Sequence, residues 1–151
     1  MNALIVCTGF DTELIKIIAR QKGNAKEKYF IKGFPSLQAD MFQQSTIQLY
    51  KVKETIGDKG VHYLMASAYD PFSTAQMIYG LVNSFKSSNV SNIYLSPLST
   101  KPHAIAMALV YIFNESCPVS VIYPKSKKYF YGHTNGIGRS WRYTLEFPVK
   151  K

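Results

Sequence analysis

The stretch from Ser91 to Phe113 constrains the fold of this chain most. A short apolar strand, 93–95, runs through a polar loop into an apolar helix that begins at about Pro102. Proline fits the first helical turn, where its missing N–H removes no hydrogen bond. A helix with few polar residues is expected to pack against a sheet. The stretch therefore predicts a strand–loop–helix unit of an α/β domain.

The same alternation of strands and helices extends along the rest of the chain. Further strands are predicted at 3–7, 29–31, 61–68 and 118–123, and further helices at about 12–20, 39–53 and 71–85. Trp141, Tyr143, Leu145 and Phe147 alternate with polar residues, which predicts a final antiparallel edge strand. This order predicts a Rossmann-like three-layer α/β fold, an open and mostly parallel sheet with helices on both faces. We expect residues 1–151 to form a single domain.

Helix starts are marked by acidic residues. Asp11 or Thr12 is expected to cap the first helix, and Asp70 precedes Pro71 where the third helix begins. Aspartate is among the preferred N-cap residues, and proline is favoured at the first helical position. We therefore expect Asp70 to contribute to stability and not to ligand binding.

The net charge of +9 comes from 18 Lys and Arg against nine Asp and Glu. Part of this excess lies in the last 32 residues, which contain Lys125, Lys127, Lys128, Arg139, Arg142, Lys150 and Lys151 against Glu146 alone. A basic segment favours a nucleotide ligand or nucleic acid as partner, and the aromatic run 129–131 within it can stack a base. The alternatives are a solubilising surface and aromatic side chains that cover the sheet edge.

The sequence also limits the location of the protein and the chemistry it can perform. It has no apolar run near 20 residues and no basic segment before the first apolar stretch, so neither a membrane span nor a signal peptide is predicted. Cys7 and Cys117 have no metal-site spacing, and we expect reduced thiols in a cytoplasmic protein. No zinc, hydrolase or dinucleotide signature is present, so no metal or cofactor is predicted.

A candidate anion site lies in the loop before the apolar helix. A helix start offers unpaired N–H groups to an anion, and the loop adds hydroxyls and an ammonium group. The first strand would end at the same edge of a parallel sheet, where open α/β folds bind ligands. An alternative is that Ser99 or Thr100 merely caps the helix. The predicted ligand-binding residues are Thr8, Gly9, Ser96, Ser99, Thr100, Lys101 and His103.

The first strand ending in Thr8-Gly9, with a late strand leading into 99–102 and a helix of small residues, resembles a CRISPR-associated Rossmann fold (CARF) domain. The resemblance covers the topology and these two short motifs, although Leu98-Ser99 replaces the usual glycines. It implies a homodimer that senses cyclic oligoadenylates on the loops after the first and a later strand in antiviral defence. Some such domains also cleave their ligand. The resemblance leaves open a stand-alone sensor, a ring nuclease or one domain of a longer chain.

Three functions remain open at this point. The first is a domain that binds a nucleotide or another phosphate-bearing ligand and acts either as a sensor or as a ring nuclease. The second is a small enzyme that acts on a phosphorylated metabolite with His103 as acid or base. The third is a non-catalytic interaction module whose basic C-terminal segment contacts nucleic acid.

Overall fold

A computed structural model describes residues 1–57, 59–125 and 138–147. Within these ranges the elements are β1 (Asn2–Thr8), α1 (Thr12–Gln21), β2 (Ala25–Gly33), α2 (Met41–Ile56), β3 (Val61–Ala66), α3 (Pro71–Ser84), β4 (Asn92–Pro97), α4 (Lys101–Phe113) and β5 (Val119–Val121). The strands form one sheet in the order β3-β2-β1-β4-β5, and every pairing is parallel. The predicted Rossmann-like α/β fold is confirmed.

The central strand β1 is buried on both faces. Ile5 contributes to a core with α3 and α4, which includes Met107 of α4. Val6 points to the opposite core, which α1 and α2 form and which includes Ile15. Two buried faces explain why this strand is a continuous apolar run and does not alternate with polar residues.

The predicted acidic caps are confirmed. A carboxylate oxygen of Asp11 accepts a hydrogen bond from the Leu14 N–H at 3.0 Å. A carboxylate oxygen of Asp70 accepts from the N–H groups of Phe72 at 2.9 Å and Ser73 at 3.3 Å. These bonds satisfy N–H groups that have no partner within the helix.

The predicted antiparallel edge strand is not found, because residues 138–147 are described and contain no strand. This segment packs against the α3 and α4 side of the protein. The Trp141 ring stacks on that of Tyr69 at 6.0 Å, and the Tyr143 hydroxyl donates to the Tyr69 carbonyl oxygen. Phe147 stacks on Phe113 of α4 at 5.9 Å. The alternating aromatic residues therefore contact the helical layer and do not extend the sheet.

Part of the basic C-terminal region lies outside the described residues. This applies to 126–137, with the predicted base-stacking run 129–131, and to 148–151. Among the described residues, no helix combines the length and apolar character that crossing a membrane requires.

Candidate functional site at the carboxyl edge of the sheet

The carboxyl ends of β1 and β4 lie side by side in the middle of the sheet. The chain continues from β1 into α1 on one face and from β4 into α4 on the other. Open α/β sheets bind ligands where consecutive connections diverge in this way. A small cavity of about 70 Å³, here called the edge cavity, lies at this point, and its lining includes Thr8, Gly9, Gly33, Ser99 and Thr100.

The two threonines of the edge cavity donate their hydroxyl protons to backbone carbonyls. The Thr8 hydroxyl donates to the Ile31 carbonyl oxygen at 3.1 Å. The Thr100 hydroxyl donates to the Ala68 carbonyl oxygen at 2.8 Å. A hydroxyl has one proton, so in this arrangement both threonines present a ligand with lone pairs only.

The start of α4 offers fewer N–H donors than the sequence suggested. Thr100 is the N-cap, and its hydroxyl oxygen accepts from the His103 N–H at 3.4 Å, so of the two expected capping residues Thr100 is the one that caps α4. Pro102 has no N–H group to offer. Of the first three helical positions, this leaves the N–H of Lys101 for an anion.

Ser99 and Lys101 are the predicted residues whose polar groups remain open at this edge. Ser99 lines the edge cavity, and its hydroxyl has no hydrogen-bond partner among the described residues. Lys101 follows Thr100 as the first residue of α4, and its side chain is exposed. Together they provide a neutral hydroxyl and an exposed cation at the start of α4.

Two predicted site residues lie inside the protein and do not line the edge cavity. Ser96 is fully buried, and its hydroxyl has no partner among the described residues. His103 is also fully buried, and its Nε2 donates to the Ser67 carbonyl oxygen at 2.8 Å. Burial lowers the pKa of His103, although hydrogen bonds to the backbone oppose this shift. The neutral imidazole thus joins α4 to the loop after β3.

Lys32, which no sequence motif marks as functional, shares the carboxyl edge of the sheet with Thr8. The two residues are paired in the register of β1 and β2. Lys32 lies on the same face of β2 as the buried Phe30, and this two-residue spacing was the available signal. The contact of Lys32 with α2 could not be deduced from that strand alone.

Lys32 lines a second cavity of about 250 Å³, here called the α2 cavity, which lies between α2 and the edge strand β3. Its other lining residues are Thr46, Leu49, Tyr50, Lys53, Tyr63, Leu64 and Met65. The cavity therefore has a cationic end and mostly aromatic and aliphatic walls.

Comparisons with known proteins identify no family. No protein-family model matches the chain, and a search of curated proteins gives no significant match. Within the described ranges, no group of three or more His, Cys, Asp or Glu side chains is placed to hold a metal ion.

Proposed function

We propose that the protein binds a nucleotide or another phosphate-bearing ligand at the carboxyl edge of its sheet. The observation that carries this proposal is the edge cavity itself, which the loops after β1 and β4 form where the chain diverges to opposite faces. Such crevices are the usual ligand sites of open parallel sheets.

The charge around the edge cavity favours an anion. None of the described residues that line it is acidic, and the Lys101 ammonium follows the lining residue Thr100 directly. The Lys101 N–H and the Ser99 hydroxyl add neutral donors at the same helix start. A phosphate group placed there would accept one charge-assisted hydrogen bond and two neutral ones.

The size of the edge cavity limits how much of the ligand it encloses. A volume of about 70 Å³ accommodates a phosphoryl group, since a water molecule takes up about 30 Å³ in the liquid. The rest of a nucleotide would lie outside, over exposed apolar side chains such as those of Phe10 and Leu37. In the CARF-like form of the proposal, a second copy of the chain covers this outer part, and the ligand is a cyclic oligonucleotide shared by the dimer.

The same site could also support cleavage of a cyclic RNA. Alignment of a ribose 2′-hydroxyl with the adjacent phosphate would bring the reacting atoms together, and Lys101 would stabilise the charge that develops on the phosphate. The 2′-oxygen would attack phosphorus and the bond from phosphorus to the 5′-oxygen would break, which leaves a 2′,3′-cyclic phosphate. Water would carry the proton from the 2′-hydroxyl to the leaving 5′-oxygen. Turnover of the bound ligand would distinguish a ring nuclease from a sensor.

The experiment is a thermal-shift screen against nucleotides and cyclic oligonucleotides, followed by titration calorimetry. Lys101→Ala should weaken binding of the selected ligand about tenfold or more, because a charged hydrogen bond contributes about 1.5–3 kcal/mol. The matched control is Lys86→Ala, which removes the same charge from an exposed position just after α3. Equal affinities of the Lys101 and Lys86 variants would remove Lys101 from the site and refute the proposal.

A further inference from the structure

The fold holds the Lys32 ammonium inside the protein without a carboxylate partner among the described residues. The residue is 8% exposed. Its Nζ donates to the Thr46 hydroxyl oxygen at 2.7 Å and lies 3.8 Å from the centre of the Phe42 ring. An ammonium group has three protons. Thr46 and the Phe42 ring face account for two of them, and one remains for the α2 cavity.

Keeping this charge away from water is unfavourable unless an anion compensates it. Buried charges are normally paired, because removing an unpaired ion from water is strongly unfavourable. The same burial lowers the pKa of Lys32. A bound anion would compensate the positive charge of the Lys32 ammonium, and the α2 cavity beside Nζ provides the space for one.

The walls of the α2 cavity indicate what the anion is attached to. Tyr50 is 64% exposed and stands with Tyr63 and Met65 among the lining residues, all three being large side chains with exposed surface. Tyrosine rings offer flat apolar surface to a planar group. The volume of about 250 Å³ is close to the lower end of small-molecule sites, roughly 300–1,000 Å³.

We propose that the α2 cavity is a separate binding site for a small organic phosphate with a planar body, of the nucleoside monophosphate class. The phosphate pairs with the Lys32 ammonium, and the planar body lies against Tyr50 and Tyr63. Lys53 also lines the cavity.

This site does not depend on the function proposed above, because the two cavities share no lining residue. They lie on different sides of the same helix, since Ser45 of α2 lines the edge cavity and Thr46 lines the α2 cavity. A ligand that fills one cavity therefore leaves the other open, and variants of each can be tested separately.

The test is a ¹H–¹⁵N NMR titration with adenosine 5′-monophosphate, with inorganic phosphate and adenosine as separate probes. The amide signals of Lys32, Thr46 and Tyr50 should shift with the monophosphate and should saturate. Lys32→Met keeps an unbranched apolar side chain of similar length and removes the charge, and it should weaken this binding tenfold or more. Tyr50→Ala, at an exposed position, should weaken binding of the monophosphate but not that of inorganic phosphate.

Control variants distinguish binding at one cavity from binding at the other, and loss of binding from loss of folding. Lys101→Ala should leave the shifts around Lys32 unchanged, so loss of one site is distinguishable from loss of the other. Lys32→Met should melt at or above the temperature of the parent, because it removes an uncompensated buried charge. Shifts confined to the edge cavity, or no shifts around Lys32 in the parent, would refute the proposal. Should Lys32→Met fail to fold, unchanged monophosphate affinity in Tyr50→Ala would refute it equally.

Discussion

A β-carbon built on Gly9 would lie 2.2 Å from the carbonyl oxygen of Leu98. The loops that leave β1 and β4 therefore pack backbone against backbone. The Leu98 N–H fixes this approach by donating to the Cys7 carbonyl oxygen at 3.0 Å. Glycine at position 9 is thus required by the close approach of two chain segments at the carboxyl edge.

Gly9→Ala should destabilise the protein by about 1–3 kcal/mol, the usual cost of forcing extra volume into a packed region. The control is Gly80→Ala in α3, where an added β-carbon has no atom within 4 Å. This control should stabilise the protein by up to about 1 kcal/mol, because alanine is the better helix former. Urea unfolding of both variants measures the difference, and destabilisation of equal size would contradict the close-packing argument.

Asp70→Ala should lower the free energy of unfolding by about 0.5–2 kcal/mol, because α3 loses its cap. Asp40→Ala is the matched control, since Asp40 precedes α2 but its side chain makes no capping hydrogen bond. Ligand affinity should not change in either variant. An Asp70 variant that is as stable as the parent but binds no ligand would assign Asp70 to the binding site.

The contribution of Asp70 should also depend on pH. Partial burial raises the pKa of this carboxyl, but the hydrogen bonds from Ser73 and Phe72 outweigh burial and leave the pKa below its usual value. The stabilisation is therefore present above the unfolded-state pKa, about 3.9, and is lost as pH falls through the lower folded-state value. The difference in the free energy of unfolding between the parent and Asp70→Ala should shrink as pH falls through that acidic range. A difference that stays constant with pH would show that ionisation of Asp70 does not contribute.

His103 should make the protein less stable in mild acid. Burial lowers its pKa, so the unfolded chain binds a proton that the folded protein resists. Above the unfolded-state pKa, about 6.5, His103 is neutral in both states and does not lower the free energy of unfolding. Below that pH the unfolded chain binds the proton more readily, so the free energy of unfolding falls. His103→Gln should flatten the change in melting temperature between about pH 7 and 5. An unchanged slope in the His103 variant would show that this imidazole is not the responsible group.

Tyr143→Phe should weaken the attachment of the C-terminal segment to the helical layer. The change removes the hydrogen bond to the Tyr69 carbonyl oxygen, and one such bond contributes about 0.5–1.5 kcal/mol. Tyr123→Phe is the control, because Tyr123 is 63% exposed and its hydroxyl has no partner among the described residues. Calorimetric melting temperatures should fall only for the Tyr143 variant, and a similar fall in both would attribute the effect to the loss of a surface hydroxyl.

The sequence predicted helices and strands well where neighbouring residues alone determine the start of an element. Asp70 and Pro71 mark the start of α3 because both act within the first turn, without help from distant residues. The alternation from Trp141 to Phe147 predicted an edge strand that the structure does not contain. The contacts of Trp141 with Tyr69 and of Phe147 with Phe113 could not be deduced from a period of two, because the period does not identify the partner.

The candidate site was less predictable because hydroxyl partners come from distant strands. Thr8 bonds to the backbone of β2, and Thr100 bonds to the loop after β3. Lys32 depends on Thr46 and Phe42 of α2, which are separated from it in sequence. The sequence placed Thr8 and Thr100 at the carboxyl edge of the sheet, and the structure brings both to one cavity there. Which polar groups remain available at that edge depends on segments that are distant in sequence.

The central position of β1 has a consequence for synthesis of the chain. Its β2 edge can pair as soon as the first crossover is complete, whereas the other edge must wait for β4, which follows α3. At roughly 5–20 residues per second, a ribosome needs several seconds to supply that partner. During this interval the nascent protein has an unpaired strand edge whose residues 3–7 are all apolar. We therefore expect the N-terminal half to be bound during synthesis by chaperones that recognise extended apolar chain.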